Sequence, residues 1–134
     1  MVRLIEIEGV GVVYTKKLKD AGIRGSKSFL ECGASRQGRR EIAEKTGIDE
    51  GLILQWLNHV DLMRIQGVGE EYSDLLEAAG VDTVAELARR SPANLYKALA
   101  AVNQEKKLVR KMPTQDQVAG WIAQAGKLPK VLTY

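Results

Sequence analysis

Two short segments of this chain carry residue types that can bind an anion through the backbone. Ile7-Glu8-Gly9-Val10-Gly11-Val12-Val13-Tyr14 recurs fifty-eight positions later as Ile65-Gln66-Gly67-Val68-Gly69-Glu70-Glu71-Tyr72. Glycine reaches positive φ without steric cost and has no side chain, so amides in a Gly-x-Gly turn can approach a ligand closely. A helix starting directly after the turn adds its unsatisfied N–H groups and positive dipole end, a favourable place for a phosphate. The repeat continues through Leu18/Leu76, Ala21-Gly22/Ala79-Gly80 and Ile23/Val81, which marks a repeated structural unit.

Other reactive side chains are isolated. His59 is the sole histidine and reads as a surface or cap residue; Cys32 is the sole cysteine and reads as buried packing. A single cysteine excludes an internal disulfide and a cysteine-based zinc site. Glu70 and Glu71 are neighbours on a helix, so their carboxylates point apart and make a poor cation site. No phosphate-binding P-loop, metal-ligand spacing, paired catalytic acids or Ser-His-Asp set is present. The expectation is a protein that is not an enzyme, with no catalytic residues, no metal and no cofactor.

Charge separates the two copies. From Lys16 to Arg40 there are eight basic residues (Lys16, Lys17, Lys19, Arg24, Lys27, Arg36, Arg39, Arg40) against Asp20 and Glu31. From Ile65 to Ala88 there is no Lys or Arg, while Glu70, Glu71, Asp74, Glu77, Asp82 and Glu86 are all acidic. Residues 89–111 turn basic again, with Lys106, Lys107, Arg110 and Lys111 at their end. The net charge of +3 is modest. Copies of opposite sign are not expected to share one task.

Helical signals position these segments. Ile53, Leu57 and Val60, flanked by Leu52 and Trp56, keep an i, i+4, i+7 stripe, with Asp49 as N-cap. Gly47 closes the preceding segment at its C′ position. Asp61 reads as the cap of a short turn over 62–66. Thr83-x-x-Glu86 and Thr114-x-x-Gln117 read as capping boxes, and Ser91-Pro92 as an N-cap followed by proline at N1. Val118, Trp121, Ile122 and Ala125 form a last apolar stripe, stopped by Gly126 and Pro129. Trp56 and Trp121 lie in apolar stripes and read as core packing in preference to base stacking; Tyr14 and Tyr72 fill the turn-helix core. The predicted fold is all-α: an internally duplicated pair of units, 1–60 and 61–134, packed as one compact body. No apolar stretch approaches the ~20 residues a membrane helix needs, so the expectation is a soluble cytoplasmic protein with no membrane partner.

Ile7-x-Gly9-Val10-Gly11 and Ile65-x-Gly67-Val68-Gly69, each followed by a leucine at the spacing of Leu18 and Leu76, resemble the helix-hairpin-helix superfamily. More narrowly, residues 72–83, 61–65 and 38–58 resemble the uncharacterised bacterial DUF4332 family. The resemblance implies tandem helix-hairpin-helix units and supplies no established activity. In the superfamily the turn binds a DNA phosphate through backbone amides without reading sequence. That implies a cradle of Gly9, Val10 and Gly11 with Lys16 and Lys17 one turn on, continued by Arg36, Arg39 and Arg40. Gly67, Val68 and Gly69 match equally well in backbone pattern, but Glu70 and Glu71 stand where a phosphate would approach. The second turn is therefore expected to be structural or a docking surface. Two functions stay open: non-specific binding of duplex or branched DNA through the first hairpin, or docking to a protein partner or to itself through oppositely charged hairpins.

Overall fold

A computed structural model of the chain describes residues 3–7 and 9–134. Among the described residues there are eight α-helices and no strand, so the fold is all-α, as expected. After a 3-10 turn at Leu4–Glu6 come α1 (Gly11–Asp20), α2 (Ser26–Cys32), α3 (Arg36–Thr46), α4 (Glu50–Leu62), α5 (Glu70–Ala78), α6 (Val84–Leu87), α7 (Pro92–Lys106) and α8 (Gln115–Lys127). The chain divides into two compact units, Met1–Asp61 with Val131–Tyr134, and Leu62–Lys130. The last four residues, read from sequence as the end of the second unit, thus belong to the first.

In the first unit, Leu18, Phe29, Ile53 and Leu57 are fully buried. Its helices start and stop where local chemistry dictates. The Ser35 hydroxyl accepts from the Gly38 amide at 3.0 Å and opens α3. Gly47, at φ 73°, ends α3 in the left-handed region that glycine enters without strain. The Asp49 carboxylate accepts from the Gly51 amide at 2.9 Å and starts α4. Asp61 lies within the last turn of α4, which ends at Leu62, and is buried; the chain turns after it, where the Ile65 amide donates to the Leu62 carbonyl at 3.1 Å.

In the second unit, Leu75, Leu76, Leu87 and Leu99 are buried in one cluster with Val118 and Trp121. Thr114 and Gln117 form the expected reciprocal box, at 3.1 and 2.8 Å. Only half of the other box forms. Thr83 accepts from the Glu86 amide, but the Glu86 carboxylate reaches the amide of Asp82, not that of Thr83. Ser91 occupies the N-cap of α7 with Pro92 behind it, without a side-chain cap bond.

Candidate functional site

Both glycine turns are built the same way up to their middle. The Val10 amide donates to the Ile7 carbonyl at 3.2 Å, with Gly9 at φ 86°. The Val68 amide donates to the Ile65 carbonyl at 3.1 Å, with Gly67 at φ 93°. A positive φ between the bonded residues is the geometry of a tight turn that excludes side chains. A second reason for glycine is space. Trp56 Nε1 on α4 lies 3.3 Å from where a Cβ on Gly9 would stand, and Trp121 Nε1 on α8 lies 3.2 Å from that of Gly67. Each indole also meets a tyrosine of the following helix: Tyr14 and Trp56 have ring centroids 5.1 Å apart, tilted by 54°, and Tyr72 and Trp121 5.2 Å apart, tilted by 49°. Both tryptophans are buried packing residues, as their stripes predicted.

This geometry corrects the cradle expected from sequence. The Val10 and Val68 amides are consumed inside their turns, and both side chains are buried. What remains to face a ligand is the backbone that opens the helix, from Gly11 onward in α1 and from Gly69 onward at α5. Here the two copies part. Gly11 sits at φ 66°, while Gly69 is extended, at φ −99° and ψ −162°, as the N-cap of α5. The second glycines therefore do not match in backbone pattern, although the residue types are identical. A Cβ on Gly11 would meet nothing within 4 Å, so its backbone is open to approach.

The basic residues also separate. Lys16 and Lys17 are exposed on α1, and Lys17 Nζ lies 5.8 Å over the Tyr14 ring. Arg36 and Arg40 are exposed at the start of α3, which packs against α1. Arg39 is not part of that exposed set. Only 4% of its surface is exposed; its guanidinium donates to the carbonyls of Gly33 at 2.9 Å, Ala34 at 3.2 Å and Thr133 at 2.6 Å. It also lies 5.8 Å over the ring of Tyr134. Burial lowers its basicity from the ordinary arginine value, with Tyr134 and Glu50 acting in the opposite direction. Arginine stays charged in such a setting, so Arg39 works as a clamp on the returning C-terminal segment. Counting from the N-caps Ser35 and Ser91 explains the burial: Arg39 is the fourth residue of α3, and the fourth of α7 is Leu95, a core residue. Three neighbouring arginines look alike in the sequence; the cap four positions earlier was the signal that set one of them facing inward.

Two isolated residues depart from expectation. His59 is buried, because α4 runs on past it to Leu62 in place of ending near it. Cys32 is exposed, because α2 ends there and turns its last residue outward. Among the described residues no group of three or more His, Cys, Asp or Glu side chains is placed to hold a metal. No described helix is long and apolar enough to cross a membrane.

Sequence reasoning passed over one feature of the first turn. Val12 and Val13, the residues following Gly11, are 76% and 68% exposed, and Ile5 is 40% exposed. With Thr15, Lys16 and Lys19, Ile5 and Val12 line a shallow groove of about 380 Å³. Their positions after a helix-opening glycine contained the signal, since N-terminal residues beyond a tight turn project away from the core. In the second unit Glu70 and Glu71 hold the corresponding positions and are also exposed.

The fold and its site define an all-helical protein with two glycine-turn units, one presenting a basic, partly apolar helix start and the other an acidic one. The chain belongs to the family described as Domain of unknown function (DUF4332), whose model matches residues 8–128. No solved structure matches it.

Proposed function

We propose that each unit is a helix-hairpin-helix module and that the first binds the DNA backbone without reading sequence, as a non-catalytic function. The observation that carries this reading is the start of α1, where an open glycine at positive φ precedes a helix bearing exposed Lys16, Lys17 and Lys19. Backbone amides there approach a phosphate, and the lysines supply the salt-dependent attraction. Arg36 and Arg40 extend the basic surface; Arg39 contributes only by holding the fold. Glu70 and Glu71 keep phosphates away from the second turn. Binding needs no cofactor.

Fluorescence anisotropy of labelled duplex and branched DNA, titrated at low and physiological salt, tests it. Affinity falling log-linearly with salt, and lost in Lys16→Glu/Lys17→Glu, is the expected result. Absence of binding at low salt, or binding indifferent to that reversal, overturns it.

A second reading, protein docking, is favoured by one observation: Ile5, Val12 and Val13 are exposed apolar residues clustered at the first turn and add nothing to phosphate binding.

A further inference from the structure

We propose that the α1 face of one copy of the chain docks on the acidic α5 face of a second copy. The inference rests on the docking reading and names its partner. Val12, Lys16 and Lys19 are spaced i, i+4, i+7, so they share one side of α1, with Ile5 beside them across the shallow groove. Fifty-eight positions on, Glu70, Asp74 and Glu77 occupy the same register of α5, with exposed Glu71 next to them. The same row is thus apolar and basic on one helix and wholly acidic on the other, and residues 65–88 contain no Lys or Arg to dilute that sign.

Opposed signs at matched spacing let two short helices pair with each base facing an acid. The aliphatic stems of the glutamates cover Val12 and Val13, while their carboxylates meet Lys16 and Lys19. An acidic partner also explains why the apolar residues are rimmed by lysine: like copies of the α1 face would repel one another. Each copy has one face of each sign, so the contact is heterologous. Association then continues beyond a pair unless the geometry closes it.

Sedimentation velocity of the full chain without DNA, across a hundredfold concentration range at low and high salt, tests the proposal. The weight-average sedimentation coefficient is expected to rise with concentration at low salt, with apparent affinity falling about tenfold or more at high salt. Lys16→Glu/Lys19→Glu and Glu71→Lys/Asp74→Lys each abolish the rise while leaving the far-UV circular dichroism unchanged. An equimolar mixture of the two variants restores it. A monomer at every concentration, or association indifferent to both reversals, overturns the pairing of copies. Poly-L-glutamate separates that failure from failure of the docking reading. If the monomeric chain still shows shifts of the Val12 and Val13 amide resonances on adding it, docking of an acidic partner stands and the second copy is excluded; without shifts both fall.

Discussion

The two glycine turns share their scaffold and differ in everything they present. Ile7 and Ile65, Gly9 and Gly67, Val10 and Val68, Tyr14 and Tyr72, Trp56 and Trp121 repeat the same bonds and contacts to within a few tenths of an ångström. One residue beyond that scaffold the backbone diverges, at Gly11 and Gly69, and from there valine faces glutamate and lysine faces aspartate. The buried half of the motif is held by packing against an indole. The outer half is free to change sign, because a solvated charge costs the fold little. A motif match therefore predicts the turn and says nothing secure about its ligand.

The shared half is tested most severely at its tryptophans. Trp56→Ala and Trp121→Ala are each expected to cost about 3–5 kcal/mol in denaturant unfolding, since each empties a buried site against a glycine. A much smaller loss at one of them would end the equivalence. Next comes a contrast within α3. Arg39→Ala removes three hydrogen bonds from a charged donor and leaves buried carbonyls behind, a loss of about 2–3 kcal/mol; Arg36→Ala and Arg40→Ala, both exposed, should stay within about 0.5 kcal/mol. Equal costs for the three arginines would contradict the inward position of Arg39.

The divergent half is sharpened by one substitution made twice. Gly11→Ala forces a side chain into the left-handed region and should cost about 1–2 kcal/mol. Gly69→Ala, at an extended φ with open space around it, should be close to neutral, within about 0.5 kcal/mol, because the gain through the unfolded chain offsets alanine's poorer fit at an N-cap. Matching values in thermal melts would show that the two turns are alike after all.

The smallest effect concerns pH. Arg3 donates to the Glu6 carboxylate at 3.0 Å, and that bond lowers the Glu6 pKa below its ordinary value. At the offset of fifty-eight the counterparts of Arg3 and Glu6 are Asp61 and Arg64, and Arg64 donates to the Pro129 carbonyl at 2.9 Å. A carboxyl with a depressed folded pKa contributes stability above its unfolded pKa and loses it as pH falls through the folded value. Glu6→Gln should therefore lower stability slightly above about pH 4.5, a difference that disappears as pH falls and Glu6 is protonated in the parent chain, so thermal melts of the variant show a flatter acid limb. The pair is exposed, which keeps the effect near the limit of measurement.

Most of the helical framework was legible along the chain because its determinants are local. Caps such as Asp49 and Thr114, the left-handed Gly47 and the apolar stripes through Trp56 and Trp121 act within one or two turns, so residue type and spacing suffice to read them. The glycine turns were legible for the same reason. What escaped were decisions made by distant neighbours. Arg39 could be distinguished from Arg36 and Arg40 only by a carbonyl ninety-four residues away, at Thr133, and by the core position it takes four residues into its helix. His59 turned inward and Cys32 outward according to where α4 and α2 ended. Val12 and Val13 have a composition suited to a core, yet among the described residues they stay exposed, and Gly11 and Gly69 adopt different backbones from identical letters. Sequence by itself determined the all-helical class, several helix caps and the two glycine turns, since those follow from short-range sterics and hydrogen bonding. Tertiary structure alone decided which charges are clamps, which are surface, and which apolar residues remain uncovered, because burial is a property of everything that packs around a residue and not of the residue itself.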